Sequence, residues 1–367
     1  MGDARHMKRA SRIVFSVFTA IALLYLIYFM PLPLYIFKPG TADVIEPMVQ
    51  VEQSAAEDKG QFMLTTVAVS DATVYGYLMS FIRPYQELRL KEDLLRRGET
   101  ETEYTQRQAV VMMTSQADAI QAVYNKLNIP YRINHDGVVI EHIYPDFPAQ
   151  EVLRAGDNIV KIDDKPIATA DELRSSLANK KVGDTVAISY KRGNVTRTDN
   201  VALAVLPSEE TSAPAPAAEP QRAGLGIVPV EVHSIQAESE DKQVAIKAGN
   251  IGGPSAGLMF SLEIFNRFVP EDISKGYKIA GTGEIDRDGN VRVIGGIKHK
   301  IVAADRVGAD IFFSPKDYRT PDGRTIPNYS DAKQRAEEIG TDMTIVPVGT
   351  LDEALQYLAG LPVKPSS

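Results

Sequence analysis

Two glycine-rich turns in the C-terminal half of the chain each carry one residue that could take part in nucleophilic catalysis. Ser255 lies in the string GGPSAG, and Lys298 ends the string GGIK, 43 residues further on. A serine hydroxyl needs a base to remove its proton, and a lysine can act as that base only when its amine is neutral. Apolar residues around Lys298 would desolvate the amine and lower its pKa. The sequence therefore predicts a Ser–Lys pair.

The turn around Ser255 is also predicted to stabilise the oxyanion that forms when a serine attacks a carbonyl. An apolar helix is expected from Ser255 to about Phe268. Backbone N–H groups and the positive end of the helix dipole would then lie near the serine. The candidate residues for this role are the neighbours of Ser255 in the turn, namely Gly252, Gly253, Pro254 and Ala256.

The composition argues against several other classes of site. The 367 residues include no cysteine, so a disulfide framework, a zinc–cysteine site and a thiol nucleophile are all ruled out. The five histidines show no metal-binding spacing such as HExxH. The net charge of −8 is spread along the chain, which argues against nucleic acid as a partner. We therefore expect a site that needs no metal and no cofactor.

The two turns belong to a longer pattern. The strings GGPSAGLMFSLEIF and TGEIDRDGNVRVIGGIKHKIVAA resemble the proteolytic domain of Lon-type Ser–Lys proteases. The resemblance implies that Ser255 is the nucleophile, that Lys298 is the base and that Thr282 supports the lysine by a hydrogen bond. It departs from the best-known Lon pattern just before the serine, where residues 250–253 replace an acidic stretch. We assign this α+β unit to residues 224–362.

An apolar run near the N-terminus predicts a membrane anchor. Residues 13–37 contain no charged side chain, and this run is long enough to cross a bilayer as a helix. Lys8, Arg9 and Arg12 precede the run, and only Lys38 closely follows it. The positive-inside rule then places the N-terminus in the cytoplasm and the rest of the chain outside. A cleaved signal peptide is the alternative, but no small-x-small cleavage site follows the run.

A second folded unit is expected over residues 130–206. The string FPAQEVLRAGDNIVKIDDKPI resembles bacterial PDZ domains, which bind an extended peptide by adding it to a sheet edge. Thr169 can cap the helix that follows. The resemblance implies a peptide groove between a strand and this helix, lined by Val138, Val139, Ile140, Leu173 and Leu177. A spacer domain without a ligand is the alternative.

The remaining segments complete a multidomain α+β architecture. Residues 1–12 would be a cytoplasmic tail, of which 1–6 could be an expression scar. Residues 38–129 are predicted to be a mixed, largely helical extracytoplasmic segment. Residues 207–223 are rich in Pro, Ala and Glu, which is typical of a linker. The fold class is therefore an N-terminal transmembrane helix, a helical segment with a PDZ-like β domain, and a Lon-type proteolytic domain.

This order of segments is similar to that of membrane-anchored PDZ–Lon proteases of Gram-positive bacteria. No Walker string GxxxxGK[ST] is present, so we expect no ATPase in this chain. The resemblance implies an ATP-independent serine endopeptidase whose partners are the membrane and peptides or unfolded protein segments. It also suggests a ring-shaped homo-oligomer. Two alternatives are an inactive PDZ scaffold that tethers partners, and an enzyme acting on a non-peptide ester or amide.

Overall fold

The computed structural model describes residues 3–52, 59–206, 222–249 and 251–365, with side chains from residue 12 onward. Most of the predicted linker, residues 207–221, lies outside the described residues. The helices of the described part are α1 (Asp3–Phe29), α2 (Val74–Ser80), α3 (Lys91–Leu94), α4 (Glu101–Leu127), α5 (Ala170–Leu177), α6 (Gly257–Phe268), α7 (Ile297–Arg306), α8 (Tyr329–Ile339) and α9 (Leu351–Gly360).

The strands of the described part follow in chain order. They are β1 (Pro31–Val44), β2 (Val49–Val51), β3 (Gln61–Thr73), β4 (Glu87–Leu90), β5 (Tyr131–Ile143), β6 (Asn158–Ile162), β7 (Lys165–Pro166), β8 (Thr185–Arg192), β9 (Val195–Ala202), β10 (Ala204–Val205), β11 (Ala223–Gly224), β12 (Ile227–Ala237), β13 (Val244–Ile246), β14 (Lys278–Gly281), β15 (Glu284–Ile285), β16 (Val291–Arg292), β17 (Ile311–Pro315), β18 (Tyr318–Arg319), β19 (Thr325–Ile326) and β20 (Thr344–Val348).

A mixed six-stranded sheet forms the centre of the larger folded unit, in the order β20-β17-β14-β3-β1-β4. Neighbours from β20 to β3 run parallel, whereas β1 runs antiparallel to both β3 and β4. Successive side chains of a strand point to opposite faces. In β17, Ile311 and Phe313 accordingly join the core with α4, α6 and α9, whereas Phe312 packs with α7 and α8. The sheet is therefore a middle layer covered by helices on both faces.

The segment 38–129, expected as a separate and largely helical region, is instead part of this layered unit. Its strand β3 pairs in parallel with β14, with Gln61 opposite Lys278. Its long helix α4 is fixed at its start by a capping box of Thr100 and Glu103, and it packs against α6. Residues on both sides of the PDZ-like region in sequence therefore build one core.

The PDZ-like region is an insertion into that unit. Its sheet has the order β12-β5-β6-β8-β9, with β7 paired to β6, and it encloses a separate apolar core with α5. The strands β5 and β12 pair antiparallel from Ile143 opposite Ile227 to Tyr131 opposite Ala237. This ribbon joins the inserted domain to α4 on one side and to the rest of the larger unit on the other. Consequently β12, which lies within the residues 224–362 assigned to the C-terminal unit, is an edge strand of the PDZ sheet.

The predicted linker does not lie between the two folded units. The strands on either side of residues 207–221 are β10 and β11, which pair with each other: Ala204 lies opposite Gly224, and Val205 lies opposite Ala223. Both ends of the segment are thus held together within the inserted domain. The β5–β12 ribbon, and not this segment, connects the PDZ-like domain with its neighbour.

The helix α1 is long and apolar enough over Arg12–Phe29 to cross a membrane or to act as a signal sequence. It is shorter than the predicted anchor of residues 13–37. The helix ends at Phe29, and residues 31–37 begin β1, where Tyr35 and Phe37 are buried in the sheet. Tyr35, Ile36 and Phe37 are apolar because they face the protein core. A single residue, Met30, separates the helix from the sheet.

The position of the 207–221 segment leads to a first prediction. Cutting the backbone there, at an inserted site for a specific protease, should leave the two fragments associated, because the β5–β12 ribbon and the central sheet both join residues from the two sides of the cut. Size-exclusion chromatography in detergent should show one peak containing both fragments, and denaturant should separate them. Release of a free C-terminal fragment under native conditions would contradict the inserted arrangement.

Candidate active site

Ser255 lies in a single 3₁₀ turn, Pro254–Ala256, that leads directly into α6. The preceding residue, Gly253, has φ +87° and ψ 159°, a backbone conformation that is essentially restricted to glycine. Its N–H donates to the carbonyl of Gln108 on α4 over 2.9 Å, and the Ser115 hydroxyl donates to the carbonyl of Pro254 over 2.9 Å. The helix α4 therefore holds the serine turn in place.

A second set of contacts holds the serine from the opposite side. Its carbonyl accepts hydrogen bonds from the Gly283 N–H over 2.8 Å and from the Thr282 hydroxyl over 2.9 Å. Both donors follow immediately after β14. The serine turn is thus fixed between α4 and the end of a central strand, which orients its hydroxyl.

The structure does not bring Lys298 to Ser255. The Lys298 amine lies 3.3 Å from the Asp331 carboxylate on α8, and its side chain is half-buried. The residue that reaches the serine is Lys300, whose Nζ lies 2.9 Å from the Ser255 Oγ. The two lysines are two residues apart on α7, and each helical residue turns by about 100°. They therefore point to nearly opposite faces of the helix, and only one of them can face the serine.

The sequence does contain a signal that distinguishes the two lysines. The buried apolar residues of α7 include Ile297, Ile301 and Ala304, which recur with the spacing of one helix face. Lys300 falls within this stripe, whereas Lys298 falls outside it. The spacing of the neighbouring apolar residues identifies the buried lysine better than its distance from the glycine pair does.

The amine of Lys300 lies among three oxygen atoms. Besides the serine Oγ, its Nζ lies 2.7 Å from the carbonyl oxygen of Thr65 on β3 and 3.0 Å from the hydroxyl oxygen of Thr282. The Thr282 hydroxyl already donates its proton to the Ser255 carbonyl, so its oxygen can only accept from the amine. The predicted hydrogen bond between Thr282 and a lysine is therefore present, but the lysine is Lys300.

The surroundings of Lys300 allow its uncharged amine to act as a base. A neutral amine has two N–H donors and one lone pair. The two donors match the oxygens of Thr65 and Thr282, which leaves the lone pair facing the Ser255 hydroxyl. Lys300 is only 3% exposed, and this burial lowers its pKa from 10.5 to about 7. A large fraction of the amine is then neutral at physiological pH.

The expected oxyanion residues are only partly suited to that role. Pro254 has no N–H to donate, and the N–H of Gly253 is already bonded to Gln108. The N–H groups of Gly252 and Ala256 remain as candidates beside the serine. The direction of the helix α6, which begins at Gly257, also places its positive end at this turn.

A cavity of about 860 Å³ opens in front of the Ser255 hydroxyl. One wall is the edge of β3 from Thr65 to Val69. The pairing of β3 with β14 ends at Leu64, so beyond this residue the same edge borders the cavity. The Gly295–Gly296 turn forms another wall, and a Cβ at Gly296 would lie 2.7 Å from a methyl group of Val67. The glycine thus permits the close approach of α7 to β3.

Charged side chains line the same cavity. Asp43 and Arg89 come from β1 and β4, and Glu284 follows Thr282 and Gly283. Burial raises the pKa of the Glu284 carboxyl, and the nearby Arg292 opposes this effect. In the part of the chain that the structure describes, no group of His, Asp and Glu residues is arranged to hold a metal ion.

The groove predicted for the PDZ-like domain is placed differently in the structure. Val138, Val139 and Ile140 lie in β5, which is paired with β12 on one side and with β6 on the other. This strand therefore has no free edge for a peptide. Leu173 and Leu177 lie on α5, but both point into the core of the domain.

The strand that borders α5 with a free edge is β12, which ends the PDZ sheet. The Glu231 carboxylate on β12 accepts a hydrogen bond of 2.8 Å from the N–H of Ala170, the first residue of α5. A turn of sequence Gly224-Leu225-Gly226 leads into the strand. The space for an added peptide strand therefore lies between β12 and α5.

Comparison with known families agrees with both folded units. The model of the Lon protease (S16) C-terminal proteolytic domain matches residues 227–359, and the PDZ domain model matches residues 117–203. The chain carries a Lon-type proteolytic domain and a PDZ domain. The Lon match supports serine protease activity. It leaves out residues 31–116, although β1, β3 and most of α4 belong to the same folded unit as the Lon-type domain.

Individual relatives show the similarity to Lon proteases. A Lon protease from Aster yellows witches'-broom phytoplasma is 33% identical over 106 residues, which are 29% of this chain and 12% of that protein. The Lon protease of Methanosphaera stadtmanae is 32% identical over 126 residues, which are 34% of this chain and 14% of that protein. The chain thus spans only a small part of the length of the curated Lon proteases that it matches.

A solved structure is similar to the inserted domain. The crystal structure of the PDZ domain of an SdrC-like protein from Listeria monocytogenes is 31% identical, with a TM-score of 0.23. The match covers 27% of this chain and 93% of that one.

The buried amine leads to a second prediction, which concerns stability. The pKa of Lys300 is about 7 in the folded state but is that of a free lysine in the unfolded state. Between these values the unfolded chain binds more protons, so the free energy of unfolding should rise with pH. Below about pH 7 the free energy of unfolding should be about 3–5 kcal/mol lower than it is above the pKa of a free lysine.

The matched variants are Lys300→Met and Lys298→Met, because methionine keeps the unbranched shape without a charge. Lys300→Met should be more stable than the wild type at about pH 6, and this difference should shrink steadily towards about pH 9. Lys298→Met should show no such trend. Denaturant unfolding across this pH range measures both. A constant difference for Lys300→Met would show that its pKa is not lowered by folding.

Proposed function

We propose that this protein is a membrane-anchored serine endopeptidase in which Ser255 and Lys300 form the catalytic dyad. The observation that carries this proposal is the distance of 2.9 Å between the Lys300 Nζ and the Ser255 Oγ, with the amine fully enclosed by protein. A neutral lysine beside a serine hydroxyl is suited to acyl transfer, and the match to the Lon proteolytic domain supports peptide bonds as the target.

In the proposed reaction, the Ser255 Oγ attacks the carbonyl carbon of a peptide bond while its proton passes to the lone pair of Lys300. The resulting ammonium keeps its hydrogen bonds to Thr65 and Thr282, and it gives one proton to the leaving amine as the peptide bond breaks. Water then attacks the acyl carbon and gives a proton to the amine, and this proton passes to the Ser255 Oγ as the ester bond breaks and the product acid leaves. The N–H groups at the start of α6 are the candidates to stabilise the oxyanion. The cycle consumes water and requires no ATP.

The shape of the cavity favours an extended, unfolded segment as the substrate. The edge of β3 from Thr65 to Val69 offers backbone groups to which a peptide could pair as an added strand. This edge leads past the Ser255 hydroxyl, so a paired peptide would place one of its carbonyls near the nucleophile. A folded domain cannot present an extended segment in this way without local unfolding. Secreted peptides and unstructured protein segments are therefore the proposed substrates.

The location that we propose follows from α1 and the charges before it. Lys8, Arg9 and Arg12 precede the apolar part of the helix, which favours a cytoplasmic N-terminus. The helix then acts as a single-pass anchor, and the catalytic cavity faces the outside of the cell. The PDZ domain would present substrate through the groove between β12 and α5.

The dyad gives a third prediction, which separates the two lysines. Ser255→Ala and Lys300→Met should each lower kcat/KM for unfolded casein by about 10³-fold or more, and the double variant should be little worse than either single one. Lys298→Met should remain close to the wild type, because that side chain pairs with Asp331 away from the cavity. The assay is run in detergent without ATP.

The pH profile of the wild type provides an independent readout. Since the amine must be neutral, kcat/KM should rise with pH through an apparent pKa of about 7. Activity retained in Lys300→Met, or lost in Lys298→Met with normal folding, would overturn the assignment of the base. A wild-type protein without any activity that nonetheless binds peptide would favour the alternative of an inactive scaffold.

A fourth prediction concerns the PDZ groove. When an unfolded substrate is added to Ser255→Ala protein, backbone amides of β12 between Ile227 and Val232 should exchange hydrogen more slowly, because an added strand would pair with this edge. The amides of β5 should not change, since that strand is already paired on both sides. Hydrogen exchange with mass spectrometry measures both strands. Protection confined to the catalytic cavity would show that the domain is only a spacer.

A further inference from the structure

A group of large apolar side chains lies exposed on and just after the short helix α2. Tyr77 is 36% exposed, Leu78 53%, Phe81 69% and Ile82 74%. The rings of Tyr77 and Phe81 contact each other edge to face, with their centroids 5.1 Å apart. We call these four residues the α2 patch. Four such side chains within six residues are unusual on a surface that faces only water.

The α2 patch lies close to the C-terminal end of α1. The ring of Tyr75, on the first turn of α2, stacks on the ring of Tyr28 with 4.7 Å between the centroids. Tyr28 belongs to the last turn of α1, one residue before the helix ends. The helix α2 therefore lies beside the final turn of the candidate membrane helix and not further out on the domain.

The central sheet fixes this arrangement. Only Met30 separates α1 from β1, and the first residue of β1, Pro31, lies opposite Thr73, the last residue of β3. Thr73 also caps α2 through the N–H of Gly76. The end of α1 and the start of α2 are thus joined through one pair of strands. A bilayer that contains α1 must extend sideways from its last turn, where α2 lies.

The chemistry of the patch fits the boundary between lipid headgroups and acyl chains. Tyrosine rings are favoured at this boundary because they have an apolar body and a polar tip. Three tyrosines lie here: Tyr28 near the end of α1, and Tyr75 and Tyr77 on α2. Arg83, exposed directly after the patch, can reach lipid phosphates. The nearby Asp71 is paired with Lys91, so its carboxylate is not left uncompensated near the lipid.

We propose that the α2 patch inserts into the outer leaflet of the same bilayer that holds α1, so that the proteolytic domain contacts the membrane at a second place. This proposal rests on the proposed role of α1 as a membrane anchor. A second contact beside the anchor prevents the domain from tilting about Met30. It therefore sets the orientation of the catalytic cavity relative to the membrane surface.

The absence of cysteine from the sequence allows a direct test with single labels. Three variants of the full-length chain, Ile21→Cys, Phe81→Cys and Asn194→Cys, are labelled with a fluorophore and reconstituted into phosphatidylcholine–phosphatidylglycerol vesicles. Ile21 lies within α1, and Asn194 lies in the turn between β8 and β9 of the PDZ domain. Quenching is then measured with lipids that carry a nitroxide either near the headgroup or near the end of the acyl chain.

The label at Phe81 should be quenched about twofold or more by the shallow nitroxide and less by the deep one, as expected for insertion by about 5–10 Å. The label at Ile21 should respond more to the deep nitroxide, and the label at Asn194 should respond to neither. Quenching at Ile21 without quenching at Phe81 overturns the proposal while keeping the anchor. Quenching at Phe81 alone supports the patch and refutes the anchor, whereas quenching at neither refutes both.

A second variant tests whether lipid, and not another copy of the chain, covers the patch. Phe81→Ser together with Ile82→Ser removes exposed side chains, so thermal stability should be unchanged, and a label at Leu78→Cys in this background should lose its shallow quenching. Efficient cross-linking between Phe81→Cys chains in vesicles, with no quenching, would show that a second copy occupies the patch and would overturn the proposal.

Discussion

The structure of the candidate active site depends on the burial of one lysine amine. The amine of Lys300 has lost its contact with water, and three oxygens from three separate parts of the chain replace it. Thr65 comes from β3, Ser255 from the turn before α6, and Thr282 from the end of β14. An unsatisfied buried amine would cost several kcal/mol. The three segments must therefore keep fixed positions relative to one another. The mixed sheet and the helices on its two faces keep these segments in place.

The sequence predicted much of the site because its residues lie in short patterns with fixed geometry. The glycine-rich turn predicts Ser255, the resemblance to Lon-type proteases implies Thr282, and Thr169 is predicted as the cap of α5, where the structure has it. The structure places Lys300, and not the predicted Lys298, beside Ser255, which shows the limit of this approach. The distance from a glycine pair is a local property, whereas the role of a helical lysine depends on which face of the helix is buried. That face is visible in the spacing of Ile297, Ile301 and Ala304.

The arrangement of the domains was harder to predict for a different physical reason. Strands pair through backbone groups, which every residue carries, so the sequence of β3 does not reveal that its partner is β14, more than two hundred residues away. The insertion of the PDZ domain between α4 and β12 is hidden for the same reason. The apolar run of residues 13–37 was likewise read as one membrane segment, because residues buried in a sheet and residues buried in lipid have similar side chains.

The separation of Thr65 and Lys300 along the chain also has a consequence for when the enzyme becomes active. The hydrogen bond between these residues spans 235 positions, and the whole PDZ domain lies between them. Chains emerge and fold from the N-terminus onward, so β3 remains without its β14 partner until most of the polypeptide has been made. The lysine cannot be desolvated before that point. In the proposed dyad, a partly synthesised chain therefore has the serine but lacks the buried lysine beside it.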